Sequence, residues 1–254
     1  MAQPILVTGG TGTLGSDVVR RLLDRGHEVR VLSRRPKPPE RKPFTWLTGD
    51  LRRGTAIDSA VAGVDTIIHC ATGRGDVEAA RNLLASSKRA GILHLIYISI
   101  VGVDRIPFGY YQSKLAVERL IQDSGLPYTI LRATQFHDLV RAIVKVLSAP
   151  PVVMLVPEGI SIQPIAVAEV ARRLVELTDG QPPGRVPDIG GPQVRTCREL
   201  AESYLRASGR RRLLVPIRLP GKAYRGFTRG GNLAPEHAVA GGTFEEFLAA
   251  SGEG

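Results

Sequence analysis

Pro4-Ile-Leu-Val-Thr-Gly-Gly-Thr-Gly-Thr-Leu-Gly-Ser16 is the stretch on which the reading of the chain turns. A short β-rich run meets glycines at 9, 10, 12 and 15, and a segment of helical periodicity follows at once. The spacing satisfies both G-x-G-x-x-G (10, 12, 15) and G-x-x-G-x-x-G (9, 12, 15). Between a strand and a helix each glycine has a purpose. The first permits a tight turn, Gly12 keeps a Cβ out of the path of an approaching pyrophosphate, and Gly15 lets helix and strand pack closely. The helix N-terminus then offers free N–H groups to an anion. Gly9, Gly10, Thr11, Gly12, Thr13, Leu14 and Gly15 are therefore read as a dinucleotide cradle.

The rhythm that starts there continues. Strands are expected at Pro4–Thr8, Glu28–Ser33, Thr45–Thr48, Thr66–Cys70, Leu93–Ser99 and Tyr128–Arg132, most of them near-continuous apolar runs of the kind buried on both faces. Gly12–Arg25, Ala56–Ala62, Asp76–Ala90 and Tyr111–Ser124 have apolar residues three to four apart, and Gly26, Gly63, Gly91 and Gly125 stand where a helix takes a left-handed stop. Alternation of this kind predicts an α/β fold with a doubly wound parallel sheet. After Arg132 helices are expected at His137–Leu147, Val167–Thr178 and Leu200–Ala207 and a strand at Val152–Val156, while GQPPGRVP (180–187) reads as turns and Gly209–Gly242 shows no long period. The expected organisation is a nucleotide domain at 1–149 and a small C-terminal substrate lobe at 150–254, resting on the sheet's carboxyl edge as one structural unit. SRRPKPPERKP (33–43) reads as a surface loop.

Composition narrows the class. The 254 residues are 43% hydrophobic and 23% charged, enough to bury a core without staples. Two cysteines allow one disulfide at most and fit a reducing compartment. No apolar run is long enough to span a membrane, and the start lacks a signal-peptide pattern, so a cytoplasmic protein is expected. The formal charge of +10 raises nucleic acid as a partner. Only 5% of residues are aromatic and none alternate with the arginines as a stacking platform, so a basic surface without nucleic acid is expected.

The end of the second strand decides between cofactors. A site for NAD holds the ribose 2′-hydroxyl with a carboxylate there. This chain has Val31-Leu-Ser-Arg-Arg-Pro36, in which Arg34 and Arg35 offer planar forks to a 2′-phosphate and Ser33 a hydroxyl. NADPH, rather than NADH, is the expected cofactor.

With TGGTGTLG (8–15), GDL (49–51), HCAT (69–72), YISIVG (97–102), YYQSK (110–114), LPYTILRATQF (126–136) and IQPIAVAEVA (162–171), the chain resembles the NmrA-like branch of the atypical short-chain dehydrogenase/reductases. The resemblance covers nearly the whole chain and implies a Rossmann fold that binds NAD(P)H. It also implies that Asp50 and Leu51 lie against adenine, and that Ala71 and Thr72 line the ribose of the nicotinamide.

Tyr110 and Lys114 match the superfamily's Y-x-x-x-K signature. Four residues make about one helical turn, so both side chains share a face. An ammonium beside a phenol stabilises phenolate and makes the tyrosine a usable acid at neutral pH. Ser99, 11 residues before Tyr110 and slightly nearer than is usual in the superfamily, is read as a hydrogen-bond donor to a substrate carbonyl. Tyr111 is the neighbouring alternative for the tyrosine role. Gln135, Phe136 and His137 follow the sixth strand and are read as substrate contacts, with His137 able to shuttle protons near its ordinary pKa. No metal-ligand spacing is present, so no metal is expected. The leading expectation is an NADPH-dependent oxidoreductase acting on a carbonyl, quinone or similar small organic molecule, as a monomer or homodimer. The alternative is an NADP(H)-sensing regulatory protein without turnover, since some NmrA-like relatives lack the tyrosine. A nucleotide-sugar epimerase ranks last.

Overall fold

The computed structural model describes residues 3–37 and 42–252; Pro38, Pro39, Glu40 and Arg41 of the expected loop lie outside the described residues. The first apolar run is strand β1 (Ile5–Thr8), buried throughout, and the glycine turn leads into helix α1 (Thr13–Asp24). There follow β2 (Val29–Ser33), β3 (Thr45–Thr48), α2 (Ile57–Val61), β4 (Thr66–His69), α3 (Asp76–Ala90), β5 (His94–Ile100), α4 (Gly109–Gln122) and β6 (Tyr128–Ala133). The boundaries differ from those expected by at most two residues. Gly26, Gly63, Gly91 and Gly125 all have positive φ, as helix stops require.

The remainder comprises α5 (His137–Leu147), β7 (Val153–Pro157), β8 (Ser161–Ile162), α6 (Val167–Glu176), β9 (Gly184–Arg185), β10 (Arg195–Thr196), α7 (Cys197–Ala207), β11 (Leu213–Ile217), α8 (Lys222–Thr228) and α9 (Phe244–Ala250). Strands order as β3-β2-β1-β4-β5-β6-β9 in a seven-stranded sheet. The pairs β1–β2, β1–β4, β2–β3, β4–β5 and β6–β9 are parallel. The order reverses at β1, so the turns after β1 and β4 flank the switch point where doubly wound sheets take their ligands. The fold is a Rossmann-type α/β sheet.

Packing divides the chain into two units that interleave along the sequence. One is Met1–Ser99, Gln112–Leu131 and Val170–Pro187; the other is Ile100–Tyr111, Arg132–Glu169 and Asp188–Gly254. The single cut expected after residue 149 falls within the segment Arg132–Glu169 of the second unit. In the first unit, Leu6, Leu32, Ile67, Leu95 and Ile130 of the sheet pack on Ile57, Leu83 and Ile121 of the helices. The second has its own core, where Val140, Met154, Leu200, Tyr204, Phe244 and Leu248 meet. It is completed by parallel β7–β11 and antiparallel β8–β10 pairs.

Three expectations for the chain beyond Arg132 are corrected. Helix α7 starts at Cys197, not Leu200, because Thr196 and Glu199 form a capping box. GQPPGRVP contains β9, whose two residues pair with Thr129 and Ile130. The stretch 209–242, read as aperiodic, carries β11 and α8. Among the described residues no helix is long and apolar enough to cross a membrane.

Candidate functional site

The glycine turn belongs to the first unit, and its four glycines do different things. Gly9 has φ +71°, and a Cβ there would stand 2.6 Å from the backbone nitrogen of Ala71. Gly15 has no room either, since its Cβ would strike the carbonyl oxygen of Gly9. A Cβ on Gly10 would come within 2.9 Å of Val31 Cγ1. Gly12 is unlike these. Its backbone is extended (φ −88°) and open, the nearest atom to an added Cβ being Gly9 O at 3.4 Å. Gly12 N donates to Gly9 O (2.9 Å), which closes the turn. Helix α1 has no side-chain cap and no acidic residue in its first turn, so nothing from this helix neutralises its positive end. Thr11 is half-buried, Thr13 exposed and Leu14 buried.

At the end of β2, Ser33 is buried and its Oγ accepts from Arg35 N (3.1 Å). That bond folds the turn that carries Arg34 and Arg35, both exposed. Asp50 Oδ1 accepts from Arg52 N (2.9 Å), and Asp50 bridges to Thr55. Leu51 is buried as part of the core of this unit.

Lys114, like Glu118 and Asp76, is a buried charged residue of the unit, its side chain only 3% exposed. Its Nζ lies 3.9 Å from Asp76 Oδ2 and 5.0 Å from the centre of the Tyr97 ring. Asp76 Oδ2 also accepts from Thr72 Oγ1 (3.0 Å), which ties the exposed Thr72 to the pair; Ala71 beside it is half-buried. Burial pushes the Lys114 pKa down, while Asp76, Cys70 and Glu118 pull it up. The same burial raises the Cys70 thiol to about 12 and, with the lysine's charge second, holds His69 down at about 3. His69 is a neutral packing residue bonded to Thr8 Oγ1 (2.7 Å). Ser99 is 2% exposed, and its Oγ has no hydrogen-bond partner among the described residues. A buried hydroxyl in that state is available to a ligand.

The second unit holds Tyr110, Tyr111, Gln135, Phe136 and His137. Tyr110 is 38% exposed, whereas Tyr111 is buried, its hydroxyl accepting from Gln135 Nε2 (2.8 Å). Burial raises the Tyr111 phenol to about 12, against the Gln135 bond, and its ring lies edge-on to Phe108 and Phe227. Gln135 Oε1 is buried, with no hydrogen-bond partner among the described residues. Phe136 is half-buried and bridges to Ile165. His137 is only 1% exposed, with ring centroids of Phe244 and Phe247 at 5.9 and 5.2 Å. Burial lowers its pKa, opposed by a hydrogen bond with the Pro164 backbone. Its ring thus sits in a packed aromatic cluster, with Nε2 buried and without a hydrogen-bond partner among the described residues.

Sequence reasoning passed over Asp76. It reads as an ordinary acidic first-turn residue, and its partner Lys114 lies 38 positions further on. It likewise passed over Arg132, 5% exposed and bonded to Asp104 Oδ2 (2.9 Å).

Residues 9–178 match the family described as NAD(P)H-binding. A (4-alkanoyl-5-oxo-2,5-dihydrofuran-3-yl)methyl phosphate reductase of Streptomyces griseus is 30% identical over 216 residues, 81% of this chain and 74% of that protein. The chloroplastic protein "high chlorophyll fluorescence phenotype 244" of Arabidopsis thaliana is 36% identical over 144 residues, 52% of this chain. The match spans only 36% of the Arabidopsis protein's length, and 38% and 34% of two further curated relatives. Among solved structures, an Escherichia coli NADPH-dependent quinone oxidoreductase complexed with NADPH superposes with a TM-score of 0.81. It covers 97% of this chain and 99% of the other at 21% identity, a likeness of fold.

Proposed function

Because the chain belongs to the NAD(P)H-binding family, in the NmrA-like branch of the atypical short-chain dehydrogenase/reductases, we propose that it is an NADPH-dependent reductase of a carbonyl, quinone or similarly electron-poor small molecule. The observation that carries the reading is the buried Lys114 ammonium, held by Asp76 at 3.9 Å in the same unit as an unpartnered Ser99 hydroxyl. Burying an amine there disfavours its charged form, and Asp76 is the group that most opposes that loss.

The turn at Gly9–Gly15 would hold the pyrophosphate, with Gly12 giving the space and the uncapped start of α1 the N–H groups. Arg34 and Arg35 would grip the 2′-phosphate, with Ser33 fixing the turn that presents them. Asp50, Leu51, Ala71 and Thr72 would line the remainder. When bound, NADPH supplies the hydride. Ser99 donates to the acceptor's oxygen, and Tyr110, one turn before Lys114 on α4, gives up the proton. Lys114 steadies the phenolate left behind, and Asp76 positions Lys114. Tyr111 is assigned to packing, its hydroxyl buried and accepting from Gln135 Nε2. Gln135 Oε1 and Phe136 remain available for substrate, and His137 is assigned to packing.

The test is consumption of NADPH with a panel of aldehydes, ketones and quinones, with NADH in parallel. At least one acceptor should be reduced, and NADPH should bind more tightly than NADH. Each charge-assisted bond to phosphate contributes about 1.5–3 kcal/mol, so Arg34→Ala with Arg35→Ala should erase about a tenfold preference or more. Equal affinity for the two cofactors in the unmodified protein contradicts the cofactor assignment. NADPH binding without any turnover favours the sensing role.

A further inference from the structure

A cleft of 660 Å³ lies wholly within the second unit, between the outer face of α7, the turn that follows it and the start of β11. Arg198, Glu202, Arg206, Arg210, Arg211 and Arg212 supply its polar lining, five guanidinium groups against one carboxylate. Its size falls in the range of small-molecule sites.

Several arginines elsewhere on the chain are matched by carboxylates: Arg20 and Arg21 by Asp17, Arg25 by Asp179, Arg89 by Asp58, Arg218 by Glu158. In the cleft only Arg198 is matched, by Glu202 at 3.0 Å. Among the described residues, Arg206, Arg210, Arg211 and Arg212 have no carboxylate oxygen within 4.0 Å. Glu245 feels the charge of Arg206 without an ion pair between them.

Neutral acceptors orient three of these four. Arg206 donates to Ser203 Oγ (3.1 Å), Arg210 to Ser148 Oγ (3.3 Å), and Arg212 to Ser148 O (3.2 Å) and Arg211 O (2.8 Å). Ser148 is fully buried at the end of α5, so it is a fixed anchor. The negative end of α7 accounts for one cation nearby, Arg206 in its last turn, but not for three more on the turn beyond. Oriented guanidinium groups left without counter-charge are a receptor for an anion of high charge, and their planar forks suit phosphate oxygens.

We propose that this cleft binds a small ligand bearing a chain of phosphate groups, separately from the nucleotide turn of the first unit. No aromatic residue lines the cleft, which favours a compact polyphosphate over a nucleic-acid strand needing a stacking platform.

The experiment is calorimetric titration at low salt, on protein saturated with NADPH so that its dinucleotide site is filled. Inorganic tripolyphosphate and adenosine triphosphate are the two probes. One saturable site is expected, weakened about tenfold or more by Arg206→Gln with Arg211→Gln, while NADPH affinity and the circular dichroism spectrum stay unchanged. Tighter binding of the nucleotide marks a nucleoside polyphosphate as the source; equal binding marks the phosphate chain alone. Absence of a saturable site overturns the proposal, as does unchanged binding in the variant. Capture of duplex DNA that tripolyphosphate fails to displace also overturns it, in favour of a nucleic-acid surface.

Discussion

A carbon added at Gly15 would run into the carbonyl of Gly9, whereas one added at Gly12 meets nothing closer than 3.4 Å. Two glycines of one motif therefore answer to different demands, one to folding and one to the ligand. Gly15→Ala should cost about 1–3 kcal/mol and lower the melting temperature by several degrees. Gly12→Val should melt with the parent protein and lose NADPH binding; retained affinity would mean that the cradle is misplaced. The spacing of these glycines was legible because it is local. The partnership of Lys114 with Asp76 was not, because only the sheet brings residues 38 apart in sequence together. Nor could sequence tell that Tyr111 turns inward to Gln135, or that His137 is enclosed by two phenylalanines of the last helix.

Among the elements, the signals missed were of two kinds. Some were present and unread. Thr196-x-x-Glu199 and Thr243-x-x-Glu246 are both capping boxes, and each opens a helix whose start the periodicity alone did not give. The second secures α9, which brings Phe244 and Leu248 into the core of its unit. Thr243→Ala should destabilise the protein by about 1 kcal/mol, measured by denaturant titration, and an unchanged midpoint would mean that α9 frays at no cost. Other signals were absent. β9 is two residues among prolines and a glycine, made a strand only by the free edge of β6. β11 contains Pro216, which removes a ladder donor and is tolerated because a two-stranded pair has open edges on both sides.

At the scale of the whole molecule, three buried histidines set the response to acid. Burial lowers the pKa of His69, His94 and His137 below the usual value near 6.5. The folded state thus keeps them neutral while the unfolded chain protonates, so their contribution is complete above about pH 6.5 and is lost as the pH falls. The expected slope is about 1.4 kcal/mol per pH unit for His69, whose pKa is held at about 3, with contributions of the same sign from His94 and His137. Carboxylates such as Asp104 and Glu245, whose pKa values are lowered, contribute only to losses nearer pH 4 and leave the window from pH 7 to 5 to the histidines. The melting temperature should fall across that window, and His94→Gln should make the fall shallower. A flat profile would show that these rings accept protons in place.

The doubly wound sheet could be read at this scale because its strands are apolar runs between periodic helices. The arrangement of the second unit could not, since its contacts join segments far apart in sequence. The proposed chemistry meets its most direct test in one comparison, the turnover of Tyr110→Phe and Tyr111→Phe against the parent protein on the best acceptor, with NADPH affinity measured alongside. General acid catalysis contributes about 10²–10⁴-fold, so Tyr110→Phe should lose that much rate while keeping its NADPH affinity, and Tyr111→Phe, about 100° around the helix, should lose little. Normal turnover by Tyr110→Phe, or no acceptor reduced by the parent protein, would contradict the assignment.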